Sequence, residues 1–230
     1  MSLTVLAVPA VTLAVALTRL QLPVHPTPQP PTAGRSTRQT IRSVRHIAAA
    51  ATLVSIAATT IGSSVPLLIA RTPGHSTTDL TIGTALASFS LSMAAGGLIG
   101  GTLVRRFPPT IVMRSGLLIG AAAGAASLAL EPASVAFIVV LAVTGAAIGP
   151  TVPLLLVAAQ DRLPDSQAAA SGVVLGLANG VAGVAFLAIS ATHGRLGLVP
   201  GALVGVGGLV PAAVMVTGVV STGRRSRTSF

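Results

Sequence analysis

Apolar residues run through this chain in seven blocks separated by polar gaps: Ser2 to Thr18, Ile47 to Ala70, Ile82 to Val104, Thr110 to Leu130, Val135 to Ala159, Ala168 to Ala191 and Val199 to Val220. The hydrocarbon core of a bilayer is about 30 Å thick and requires roughly 20 mostly apolar residues per helical crossing. Each block approaches or exceeds that length. The pattern therefore predicts an all-α membrane protein with about seven transmembrane helices. All four acids, Asp79, Glu131, Asp161 and Asp165, fall in the gaps, where lipid does not penalise their charge.

The arginines give the chain a direction. Twelve of them, Arg19, Arg35, Arg38, Arg42, Arg45, Arg105, Arg106, Arg114, Arg162, Arg224, Arg225 and Arg227, lie in alternate gaps, at the edge of one (Arg114, in the first turns of the fourth block) or in the tail, whereas only Arg71 and Arg195 lie on the other side. The positive-inside rule assigns the arginine-rich side to the cytoplasm, so a multi-pass protein of the cell membrane is expected, with its N-terminus outside and its C-terminus inside. The formal charge of +10 and pI near 12.0 would suggest nucleic acid as a partner in a soluble chain. Here the basic clusters sit at membrane edges with no aromatic residues between them, which fits attraction to anionic headgroups and excludes nucleic acid as the expected partner. Cys, Trp and Tyr are absent, which removes disulfides, thiolate chemistry and the usual aromatic belt. The first block lacks a basic leader, and Arg19 follows its apolar run, so it reads as a retained crossing rather than a cleaved signal.

The gaps divide the chain into a first transmembrane helix (1–22), a cytoplasmic Pro/Arg-rich linker (23–46), a six-helix unit (47–220) and a basic cytoplasmic tail (221–230). Pro23, Pro26, Pro28, Pro30 and Pro31 favour a solvated, extended first half of the linker. A short basic helix on the cytoplasmic surface is expected of its second half. The segment Ile61-Gly62-Ser63-Ser64-Val65-Pro66-Leu67-Leu68 recurs 87 residues later as Ile148-Gly149-Pro150-Thr151-Val152-Pro153-Leu154-Leu155. An odd number of crossings separates the copies, so they run in opposite directions. That arrangement is an inverted repeat of two three-helix units, a construction common to secondary transporters. Pro66, Pro150 and Pro153 are expected to interrupt the helical ladder. Gly96, Gly97, Gly100 and Gly101, and the ladder Gly172, Gly176 and Gly180, are expected to form close helix-packing faces.

Six crossings in two inverted triplets, preceded by a basic linker, resemble the C-terminal half of a major facilitator superfamily transporter, with the first block equivalent to that family's sixth helix. Gly96-Gly97-Leu98-Ile99-Gly100-Gly101-Thr102-Leu103-Val104-Arg105-Arg106-Phe107 is similar to the family's glycine-rich helix end and cytoplasmic loop motif, in which Arg105 takes the place of the usual aspartate. Pro108 and Pro109 replace the glycine and arginine that usually follow. Ala159-Gln160-Asp161-Arg162-Leu163-Pro164, followed by Ala170-Ser171-Gly172 and by Gly194-Arg195-Leu196-Gly197, resembles the fosmidomycin-resistance-type efflux proteins of that superfamily. The resemblance implies transport of a small solute or drug by alternating access, with this chain supplying one wall of the path. The other wall would come from an N-terminal half, a second chain or a second copy. A chain beginning at the sixth helix is also what a late start site or a frame break in a longer gene produces. The alternative reading is therefore a truncated or non-transporting membrane subunit.

Enzymatic chemistry needs a nucleophile with a base, paired carboxylates or a metal cluster. The apolar blocks contain no histidine or carboxylate, and the chain has no lysine, so no catalytic residue, cofactor or metal is expected. For the same reason, proton coupling would need an acid from outside this chain. Asn179 is the only side-chain amide within an apolar block, and with Thr60, Ser63 and Ser64 it forms the candidate solute-contacting set. Ser55 and Thr59 add further hydroxyls in the same block. Pro66, Pro150 and Pro153 are candidate gates.

Overall fold

A computed structural model describes residues 37–74 and 80–221. The expected first crossing, the proline-rich part of the linker and the basic tail lie outside these residues. All regular structure among the described residues is helical. Helix α1 spans Thr37–Ala70, α2 Leu80–Leu103 and α3 Pro109–Ser127. Helices α4 (Val135–Ile148) and α5 (Thr151–Arg162) form one interrupted crossing. A second composite crossing joins α6 (Gln167–Ser171), a π-helical segment (Gly172–Leu177) and α7 (Ala178–Leu196). Helices α8 (Leu198–Gly207) and α9 (Leu209–Ser221) make the last. Six segments are long and apolar enough to cross a membrane: Val44–Ala70, Leu80–Leu103, Pro109–Ser127, Val135–Arg162, Gln167–Ala191 and Leu198–Val216.

Three boundaries differ from expectation. The second half of the linker is not a separate surface helix, because α1 begins at Thr37 and continues into the crossing without a break. Arg and Gln are good helix formers, and nothing between Thr37 and Ile47 breaks a helix. His46, expected in a gap, therefore sits on an early turn of α1, where Arg45 Nε donates to its Nε2 at 3.2 Å. Helix α7 runs on through position 193 to Leu196, past the apolar crossing that ends at Ala191.

The prolines also divide. Helix α1 continues through Pro66, four residues before its end, so the missing donor affects only its last turns. The real interruption is at Gly149 and Pro150, where the crossing changes from α4 to α5 with Pro150 as the N-cap of the second piece.

The packing has the expected two-fold logic. Pairing α1 with α4/α5, α2 with the π-segment crossing, and α3 with α8/α9 leaves most of the contact map unchanged. Helix α2 packs on α4 as α7 packs on α1, α3 packs on α4 as α9 packs on α1, and α3 meets α9 directly. One departure is that α7 also packs on α8, whereas α2 and α3 scarcely touch. At the centre is α1, whose buried residues Ile47, Ala50, Ala51, Val54, Ala57, Ile61, Val65 and Ile69 recur at three- and four-residue spacing. That stripe faces one way around a helix. By contrast, Leu91, Val135, Val184, Leu187 and Val214 are exposed. This inverts the economy of a water-soluble fold and suits a hydrocarbon surround, in which helices associate through close packing rather than by hiding apolar area.

Candidate functional site

Glycines determine how closely the helices approach. A Cβ at Gly96 would overlap the carbonyl of Ala146, one at Gly145 the carbonyl of Phe89, and one at Gly149 the carbonyl of Met93. Helices α2 and α4 thus meet backbone to backbone. Gly100 receives the ring of Pro150, and Gly97 stands in ordinary contact, its Cβ position 3.6 Å from the Gly149 carbonyl oxygen. Gly101 faces open space. Three of the four predicted packing glycines on α2 therefore pack, whereas the ladder on the π-segment crossing behaves differently. Gly172, Gly176 and Gly180 each meet nothing within 4 Å. The expectation that this ladder packs inside the bundle is corrected: among the described residues its face is open, and the crossing is instead seated through buried Val174, Ala178 and Ala182. Gly116, Gly120 and Gly124 on α3, at the same four-residue spacing, do pack, against Ala147, Ile148 and Val206 respectively. Sequence reading overlooked them, although their spacing was as clear as that of the ladder it chose.

A cavity of about 670 Å³ opens between α1, α2, the α4/α5 junction and the π segment. Its size falls within the roughly 300–1,000 Å³ usual for small-molecule sites. Ala51, Val54, Met93, Leu98, Val152 and Val174 supply most of its apolar lining, and Gly97, Gly149 and Pro153 bring backbone to its wall. Its polar side chains among the described residues are Ser55, Thr59, Ser90 and Asn179, and none of the described residues lining it is charged.

Of the four predicted solute contacts, Asn179 reaches this cavity. Its Nδ2 donates to the Leu175 carbonyl at 2.8 Å, which anchors the amide to the π segment. The other three lie elsewhere, Thr60 and Ser64 because of helical phase and Ser63 because it stands one turn beyond the lining. Ser55 and Thr59 are one turn apart and share the cavity face of α1, whereas a single residue step rotates Thr60 by about 100°. Thr60 is fully buried, donates to the Ile56 carbonyl at 2.7 Å and fits against Gly205 of α8. Ser63 donates to the Thr59 carbonyl at 2.8 Å. Ser64 is buried, its hydroxyl without a partner, and the same holds for Thr151, its counterpart in the other copy of the repeat. Neither lines the cavity.

Among the candidate gates, Pro153 borders the cavity, Pro150 is buried against Gly100, and Pro66 stands apart from the lining, near the end of α1. Arg105 and Arg106 are exposed in the tight turn between α2 and α3, where the amides of Arg106 and Phe107 both donate to the Leu103 carbonyl at 2.9 Å. Pro109 opens α3 directly afterwards, with its fixed φ suited to a first helical position. No group of three or more metal-ligating side chains occurs among the described residues.

A family model described as Major Facilitator Superfamily matches residues 2–187. The chain belongs to the major facilitator superfamily. No curated protein and no solved structure gives a match. The superfamily is one of transporters, so this member is a multi-pass membrane protein of the secondary-transporter type. Its six crossings correspond to two inverted triplets, and the cavity opens between the leading two helices of each.

Proposed function

We propose that this superfamily member moves a small solute or drug by alternating access, as an efflux-type transporter of the fosmidomycin-resistance kind, with the described unit forming one wall of the path. The observation carrying this reading is the cavity: it is of solute size, it is bordered by the leading two crossings of both triplets, and it is lined by neutral polar groups on an otherwise apolar surface. The described residues lining it offer no titratable group, so the coupling acid belongs to the other wall. That wall comes from an N-terminal half, a second chain or a second copy. The arginine-rich ends of α1, α3 and α5 face the cytoplasm of the cell membrane, in keeping with the positive-inside rule.

Export of a preloaded neutral dye such as Nile red from cells making the full protein tests this directly. Faster loss of dye than from cells without it is expected, and equal rates refute the efflux reading. Pro66 and Pro153 are proposed as flexible points near opposite membrane faces. Replacing each by alanine in the assembled transporter should slow turnover, and unchanged turnover in both ends that part of the proposal.

A further inference from the structure

The hydrocarbon core of a bilayer offers no hydrogen-bond acceptor, so hydroxyls in membrane helices usually donate to a carbonyl one turn back on their own helix. Thr52, Thr60, Ser63, Thr102, Ser115 and Thr144 all do so, at 2.7–2.9 Å. The three hydroxyl residues that line the large cavity do not. Among the described residues, the side-chain hydroxyls of Ser55 and Thr59 on α1 and of Ser90 on α2 make no hydrogen bond. Their donors are unspent at a wall where an acceptor from outside the chain can reach them. Ser55 and Thr59 stand one turn apart on the same face. Asn179 adds an amide oxygen from the opposite crossing, with one of its own N–H groups already committed to Leu175.

We infer that the cavity binds an uncharged amphipathic molecule whose polar end is a hydrogen-bond acceptor, such as a carbonyl or ether oxygen, held by the Ser55 and Thr59 hydroxyls. The inference rests on reading the cavity as the solute site, and it names the solute's class. A charged solute would find no counter-charge on this wall, because no ionisable side chain is among the described residues that line it. A purely apolar solute would leave the free donors unpaired. A sugar-like polyol brings a shell of hydroxyls on every side, and the mostly apolar lining offers it only three hydroxyls and one amide among the described residues. The hydrocarbon part of the ligand lies against Met93, Leu98, Val152 and Val174.

Photolabelling of the full chain in native membranes separates these cases. Benzophenone is a neutral ketone that inserts into nearby C–H bonds, and its para-carboxylate and para-aminomethyl derivatives carry opposite charges. Benzophenone should label peptides bearing Met93 or Val174 above the background at lipid-facing Leu187, and the charged derivatives should not. The double variant S55A/T59V should lower cavity labelling at least about tenfold and leave Leu187 unchanged. The variant S55T/T59S, which keeps both hydroxyls, should retain it. Undiminished labelling in S55A/T59V, or stronger cavity labelling by either charged probe, overturns the solute class while leaving the transport reading intact. Absence of cavity labelling by all three probes overturns both.

Discussion

Gly96→Ala and Gly101→Ala place the same methyl group on the same helix, five residues apart, yet should move stability in opposite directions. Alanine in a helix interior is favoured over glycine by about 0.5–1 kcal/mol. At Gly101 nothing lies within 4 Å of the added carbon, so that gain is retained. At Gly96 the carbon would overlap the Ala146 carbonyl, which is backbone and cannot rotate aside. Helices α2 and α4 must separate, and overpacking of this kind costs about 1–3 kcal/mol. The obstacle is rigid, which places Gly96 at the upper end, so the two variants should differ by about 3 kcal/mol. With roughly 2–4 °C of melting temperature per kcal/mol for a chain of this size, the gap is about 6–12 °C. Thermal inactivation in detergent, followed as the fraction remaining monodisperse on size-exclusion chromatography, measures it. Equal shifts for the two variants would refute the backbone-to-backbone seam.

Three further outcomes follow from described geometry. Ser64→Ala and Thr151→Val remove buried hydroxyls that have no partner, and each should raise stability by about 1 kcal/mol; a fall in melting temperature for both would mean that those oxygens are paired in the assembled protein. The absence of native cysteine makes single-thiol labelling clean, and cysteines introduced at Gly74 and Phe107 should react with a membrane-impermeant maleimide from opposite faces, with Phe107 on the cytoplasmic one. Ala133 holds φ at 70° in the turn before α4; Ala133→Gly should relieve about 1 kcal/mol of steric cost, partly offset by greater unfolded-state freedom, and thermal unfolding that shows a net loss would contradict the strain.

The crossings and their order were legible in the sequence because lipid imposes one rule on every helix surface: runs of apolar residues of fixed length, with charge at the ends. The inverted repeat was legible too, since Ile61–Leu68 and Ile148–Leu155 keep their resemblance despite pointing in opposite directions. Finer choices were not legible. Glycine spacing marks a smooth helix face but does not say whether a neighbour lies against it, so the ladder at Gly172, Gly176 and Gly180 looked the same as the packed one at Gly116, Gly120 and Gly124. The candidate hydroxyls lie on the right helix, but Thr60 and Ser64 sit out of phase with the face that Ser55 and Thr59 present, and Ser63, on that face, stands one turn beyond the lining. Helical phase becomes fixed only when the partners of α1 are known. The π segment beside Asn179 left no clear trace in composition.

The two arms flanking the cavity are held unequally. On one side α2 and α4 interlock through Gly96, Gly145 and Gly149, whereas the matching contact between α1 and the π-segment crossing rests on Val174, Ala178 and Ala182 and leaves its own glycines uncovered. The second arm therefore has slack where the first is stiff. Deuterium uptake should accordingly reach the amides of the 172–183 stretch well before those of the 89–100 stretch, with the looser arm swinging about the firmer one as the bundle rocks.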